Sequence, residues 1–359
     1  MSTARRLAAL AGVVVLTLTA CGSGDEPAGD AQAGGPCTID PDVTLNFINA
    51  GGAESDAIQA GFIDPFTERT GVEVRLDPPN ELGRLQAAVT AGDTGYDLFS
   101  TESTTLEQAK SLDLFEQLDY DSVDMAPSRE EALDDYAFGF QYYSTIMSWR
   151  PEATGGQALT SWADFFDTEQ FPGRRALADY PAFTVPIALL ADGVDPEELY
   201  PLDIDRAFAF LEDHADDVAV WWEAGAQPPE LLSGGEVDFS MVWSGRIVTE
   251  AEELGLEYTF DDGLLDLAYI GIPKGAENYC EAMSFLQEVS EPENQAVAAG
   301  VLPYTGPAEG IDEFLPEADL GLFPTSEENV GKQVLQDPEW WFDNGDEVQL
   351  RWEEFKLSR

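Results

Sequence analysis

The chain has 359 residues, with 70 acidic side chains against 17 basic ones and a formal net charge of −53. A balance this acidic argues against nucleic-acid binding, because phosphate contacts need a basic surface. A single histidine, His214, and the absence of G-x-S-x-G and G-x-x-x-x-G-K-[ST] motifs argue against a Ser-His-Asp hydrolase, a His-rich metal site and an ATPase.

The N-terminus begins with Arg5 and Arg6, then an apolar stretch from Leu7 to Thr19. That stretch is shorter than the roughly 20 apolar residues of a membrane span. A basic start, a short apolar run and a small-residue cleavage site read as an export signal over 1–20. Leu18-Thr-Ala-Cys21 resembles the bacterial lipobox, which implies lipidation of Cys21; an ordinary secretory signal is the alternative. Residues 21–40 read as a tether, with Gly22–Gly35 rich in Gly, Ala, Ser, Asp and Pro and lacking apolar periodicity. Beyond the signal no stretch is long and apolar enough to span a bilayer. The chain without its signal still exceeds the ~250–300 residues at which one core stops growing, so two lobes are expected.

Strands and helices then alternate. Val43–Ile48 predicts a strand, and Glu54–Thr70 a helix with Ile58, Phe62, Ile63 and Phe66 on one face. Val72–Leu76 is a strand, Leu82–Ala91 a helix, Tyr96–Ser100 a strand and Leu106–Leu114 a helix. Such alternation builds a mainly parallel sheet, whose ligands bind beyond the carboxyl ends of its strands. Tyr136–Trp149 is a candidate crossing strand. Ser161–Phe166 is a helix capped by Thr160 or Ser161. Strands are predicted at Arg175–Asp179, Val218–Trp222 and Phe239–Trp243, with a helix over Asp205–Leu211 whose polar end exposes His214. Leu267–Ile272 reads as the return crossing, followed by a helix holding Cys280 and Phe285. Glu327–Lys356 reads as two helical stretches broken at Asp337-Pro338, with Glu339-Trp-Trp-Phe342 as an anchoring aromatic cluster. With Cys21 lipidated, Cys37 and Cys280 form an even pair suited to a disulfide in an oxidising compartment; two free buried thiols are the alternative.

Four stretches carry a resemblance that covers nearly all of the mature chain. They are Ser161–Asp167 with Phe171–Leu177; Trp221–Gln227 leading through Leu231–Val237 to Met241–Gly245; Ile272–Asn278; and Pro324–Val330 with Glu339–Trp341. In this order they resemble bacterial extracellular solute-binding proteins of ABC importers, in the branch that includes spermidine/putrescine and opine receptors. The resemblance implies an α/β fold of two lobes, each a mainly parallel sheet flanked by helices, with two crossing strands as hinge. Lobe one then spans 41–145 and 268–312, and lobe two 146–267 and 313–359. It further implies a monomer that captures a small organic solute, cationic and polyamine-like, in the interlobe cleft. The partners are a membrane permease and its ATPase, and the location is the extracytoplasmic face of the membrane, at the cell surface or in the periplasm. No cofactor, catalytic residue or metal is expected.

Polyamine receptors hold the aliphatic spine with aromatic rings and the ammonium ends with carboxylates. The aromatic candidates are Trp243, Tyr304, Tyr180, Trp221 and Trp222; alternation aims one of the paired tryptophans at the cleft and buries the other. The acidic candidates are Asp179, Glu54, Glu102 and Asp266. They match the family pattern less well, since the crossing-strand acid of polyamine receptors aligns with Ala268, and an opine or amino-acid-like solute fits equally. Ferric iron held by Tyr142 and Tyr143 is a further alternative, disfavoured because alternation turns the two rings apart. The acidic surface reads either as a solvated coat for a saline medium or as a field that draws in cations.

Overall fold

The computed structural model describes residues 37–92 and 94–358. The export signal, Cys21 and Gly22–Gly35 lie outside the described residues.

From the N-terminal side, β1 (Thr44–Ile48) leads into α1 (Ala53–Ile58), a π-helical turn and α2 (Asp64–Thr70), then β2 (Glu73–Leu76), α3 (Leu82–Ala91), β3 (Leu98–Glu102) and α4 (Ser103–Ser111). The long strand β4 (Ala137–Trp149) comes after α4. Next come α5 (Pro151–Thr154), α6 (Trp162–Phe166), β5 (Arg175–Ala178), α7 (Pro181–Ala191), α8 (Ile204–His214), β6 (Val218–Trp222), α9 (Gln227–Ser233), β7 (Phe239–Trp243) and α10 (Ala251–Leu254). The second long strand, β8 (Glu257–Gly271), precedes α11 (Tyr279–Ser290), α12 (Pro292–Val301), β9 (Val334–Leu335) and α13 (Pro338–Ser358).

One sheet carries the order β2-β1-β3-β8-β4-β7-β5-β6, with β9 also on β8. Its two ends are parallel, β2-β1-β3 and β7-β5-β6. Between them β4 and β8 run antiparallel to each other from Ala137 opposite Gly271 to Trp149 opposite Glu257. Every residue of β4 is buried, so this strand is a shared spine for both lobes.

Local rules explain most of the elements. Ser161 caps α6, its Oγ accepting from the Asp164 N–H at 3.2 Å. Pro338 starts α13 at a position where the missing N–H costs nothing, and Asp337 caps it by accepting from Trp340 N–H at 2.9 Å. That proline opens one helix instead of breaking two. The expected helix before it is a short turn and β9, because Asn329 and Gln333 donate to the carbonyls of Phe323 and Pro324.

β8 begins at Glu257, ten residues before the expected crossing. The register shifts at Asp261 and Asp262, and Asp262 adopts a left-handed φ of 55°. Its carbonyl accepts from Trp162 Nε1 at 2.8 Å, and the strand continues through the bulge. β3 ends two residues later than expected, and α4 starts three residues earlier. His214 is half-buried, with its ring stacked on Phe210 at 4.0 Å, so it is not the exposed residue its polar neighbours suggest.

Cys37 is disulfide-bonded to Cys280, with Cα atoms 5.1 Å apart, and Asp40 N–H donates to Glu281 at 2.9 Å. The chain is therefore tied to α11 from residue 37, inside the expected 21–40 tether. Leu315 and Phe323 pack with Ala296, Ala299 and Ile311, so the segment after 312 rests on α12.

Candidate functional site

A cleft of about 970 Å³ opens beyond the carboxyl ends of the parallel strands at both ends of the sheet. Its acidic wall comes from the turn after β1, the end of β3 and α4. Its opposite wall comes from the turns after β5, β6 and β7, and α13 crosses beside both. Gln141 and Tyr143 from β4 and Ala268 from β8 form the floor.

Glu54 sits in the first turn of α1. Its Oε1 accepts from Ala50 N–H at 3.0 Å and Ser100 Oγ at 3.3 Å, and its Oε2 from Gln141 Nε2 at 3.0 Å. Burial pushes its carboxyl up to about 7, with the nearby Glu102 charge adding to the rise and these donors opposing it. Glu102 is the last residue of β3 and the register partner of Ala268 on β8. Burial also raises its carboxyl.

The opposite wall is aromatic. Trp243, at the end of β7, lies 5.8 Å from Phe183 and 6.1 Å from Tyr180, both at the start of α7. Tyr304 lies 5.7 Å from Tyr143. Glycines permit the close packing: a Cβ at Gly245 would sit 2.5 Å from Tyr304 Cε1, and one at Gly225 2.5 Å from Trp243 Cε3. Arg246 lies on the turn after β7, and its Nε would be 3.5 Å from that Gly225 Cβ. Arg246 makes no ion pair among the described residues, and neither its Nε nor Trp243 Nε1, both buried, has a hydrogen-bond partner there.

Five expected residues therefore meet in the cleft: Trp243, Tyr304, Tyr180, Glu54 and Glu102. Four do not. Trp222 is fully buried beneath Trp243, its Nε1 donating to Met241 O at 3.1 Å. Trp221 points the other way, against Trp352 and Phe355 of α13. Alternation separates this pair, yet the cleft-side member is already covered by Trp243. Asp179 accepts from Trp352 Nε1 at 2.9 Å and so fastens α13. Asp266 is 2 % exposed beneath the floor, accepting from Ser103 Oγ at 2.6 Å and Tyr143 OH at 2.8 Å. The two adjacent tyrosines diverge, Tyr142 OH donating to Glu131 at 2.6 Å on the far side. No group of three or more His, Cys, Asp and Glu is placed to hold a metal among the described residues.

Sequence reasoning missed Arg246, Phe183 and Gln141. The one signal in the sequence was Arg246 itself, three residues after a cleft tryptophan in a chain with few cations. The cleft sets carboxylates on one wall, a cation on the other and aromatic rings between. That arrangement suits a small molecule with separated opposite charges or a cationic end and an aliphatic spine.

Residues 61–319 match the family model of bacterial extracellular solute-binding proteins. The gamma-aminobutyric acid-binding protein of Pseudomonas aeruginosa is 32 % identical over 319 residues, 86 % of this chain and 89 % of that protein. A solved ABC transporter substrate-binding protein of Bradyrhizobium japonicum aligns with a TM-score of 0.84 at 32 % identity, covering 88 % of this chain and 99 % of that one. A solved GABA receptor aligns with a TM-score of 0.81 at 30 % identity, covering 87 % and 97 %. With its two-lobed sheet, crossing strands and open cleft, this chain belongs to the bacterial extracellular solute-binding proteins and is the substrate-binding component of an ABC importer.

Proposed function

We propose that the cleft captures a zwitterionic ω-amino acid of the γ-aminobutyrate kind. The observation that carries this is Arg246, a cation that lines the cleft and makes no ion pair among the described residues, in a chain with a net charge of −53. A partly desolvated guanidinium without a counter-ion costs several kcal/mol, which a ligand carboxylate offsets by a bidentate pair. The ligand's ammonium group then faces the Glu54–Glu102 wall. Its methylenes lie among Trp243, Tyr180, Phe183 and Tyr304. Such a ligand touches both lobes, so it favours the closed state over the open one. The P. aeruginosa relative's name supports the same solute class. A diamine would meet Arg246 with like charge, whereas an opine shares the needed carboxylate.

The test is thermal unfolding of the mature chain against γ-aminobutyrate, shorter and longer ω-amino acids, butyrate, putrescine, spermidine, an opine and ferric iron. A ligand at 100 times its Kd adds about 2.7 kcal/mol. We expect the ω-amino acids to raise the midpoint most. A shift from putrescine or spermidine with none from any amino acid would support the polyamine reading and sink this one. The same samples, assayed for breakdown of the bound solute, should show none.

The lobes divide within β4 and β8, with 41–145 and 268–323 in the first and 146–267 and 324–359 in the second. The receptor works as a monomer held by lipid on Cys21 through the Gly22–Gly35 tether. A single acyl chain binds only marginally, so the anchor needs more than one. Radiolabelled palmitate should enter the wild-type chain and not Cys21→Ala; equal labelling refutes the anchor.

A further inference from the structure

The carboxylates near the cleft are not equivalent. Glu54 is committed to the protein, with donors from the β1–α1 turn, β3 and β4 on its two oxygens. Asp266 is sealed beneath the floor by Ser103 and Tyr143. Glu102 lines the cleft, and no side-chain donor reaches its carboxylate among the described residues; the donor it has is its own backbone N–H. A half-buried carboxylate so poorly partnered is costly until a cation arrives.

The sheet register explains how this group is left free. Glu102 stands opposite Ala268 in the antiparallel β3–β8 pair, and both line the cleft. Directly opposed residues share a face, with Cβ atoms about 4.5–5.5 Å apart. A methyl group at 268 leaves the space above this pair to the longer side chain. Glu102 is also close enough across the cleft for its charge to act on Tyr180.

We propose that Glu102, given room by Ala268, is the specificity-determining residue that receives the ligand's ammonium group, while Glu54 positions the wall around it. This rests on the ω-amino-acid reading for its ligand, but its test separates the two. Calorimetric titrations of the mature chain with γ-aminobutyrate, putrescine and butyrate are compared for wild type, Glu102→Gln, and Glu102→Gln combined with Ala268→Asp. Glu102→Gln should lose at least 30-fold in affinity for the amine-bearing ligand and bring its affinity close to that of butyrate. The double variant, which supplies a carboxylate from the opposite strand, should recover at least tenfold. A merely structural glutamate would not be rescued from the neighbouring strand. Wild-type affinity in Glu102→Gln, or a loss with no recovery in the double variant, overturns the assignment. If wild type binds putrescine and ignores γ-aminobutyrate, the zwitterion reading fails, while the same pattern of loss and recovery with putrescine still supports Glu102. The amine selectivity of Glu102→Gln decides the matter alone if the double variant does not fold.

Discussion

The two walls of the cleft are built by different means. The acidic wall is a hydrogen-bonded network: Glu54 is fixed by Ala50, Ser100 and Gln141, and Asp266 supports it from below. The aromatic wall is packed: Trp243 rests on Trp222, Tyr180 and Phe183, and glycines at 225 and 245 admit the rings. One wall presents charge whose protonation can change. The other presents fixed shape and a cation, Arg246. Selectivity for a zwitterion needs both, so each wall can be tested by weakening it while the other stays intact.

The largest effect is expected at Arg246. Truncating one partner of a buried, hydrogen-bonded charge pair costs about 2–5 kcal/mol. Arg246→Met should therefore lower affinity for γ-aminobutyrate by about 100-fold or more. The free protein should keep or gain thermal stability, since an unpaired charge is removed from the cleft. Putrescine should bind the variant no worse than wild type. Calorimetry with both ligands checks this, and an equal loss for the two would show that Arg246 supports the wall without reading the carboxylate.

The contrast between the walls also explains what the sequence makes legible. The strand-helix alternation marks eight of the nine strands found among the described residues near their observed places, because apolar runs such as Val218–Trp222 and Phe239–Trp243 are bounded by polar turns. β9, two residues long, leaves no such trace. β8 is truncated in that reading, which begins at Leu267, past the bulge at Asp261 and Asp262. Within the site, aromatic residues at strand ends identify Trp243, Tyr180 and Tyr304. Trp221 and Trp222 fail for a tertiary reason: α13, over a hundred residues away, covers one, and Trp243 covers the other. Asp179 and Asp266 fail because their partners, Trp352 and Ser103 with Tyr143, lie far off in the chain. Arg246 escapes notice because a family pattern for cationic solutes directs attention to acids.

The packed wall should respond to shape alone. Gly225→Ala places a methyl group 2.5 Å from Trp243 Cε3, so the indole must shift. Overpacking of this kind costs about 1–3 kcal/mol. Affinity for any cleft ligand should fall about tenfold, for γ-aminobutyrate and putrescine alike, without a change in amine or carboxylate selectivity. A selective loss for one ligand would show that Trp243 reads charge as well as shape.

The smallest effect separates the walls by pH. Burial, the largest cause, lifts Glu54 from 4.5 to about 7 and Asp266 from 3.8 to about 6. Glu54 faces Glu102, Ser100 and Gln141; Asp266 faces Ser103, Tyr143 and Glu102. Both groups hold protons more tightly folded than unfolded. Their contribution to stability is complete below about pH 4 and is lost as pH rises through 6 and 7. A ligand ammonium favours the ionised wall, so its stabilisation grows over the same interval. The midpoint shift produced by γ-aminobutyrate should be larger at pH 7.5 than at pH 5.5 by a few degrees, at about 2–4 °C per kcal/mol. The ligand carboxylate is mostly ionised at both values, so that end of the ligand adds little to the difference. Glu54→Gln should flatten the dependence, and a shift of equal size at the two pH values in the wild-type chain would show that the acidic wall is not coupled to the ligand.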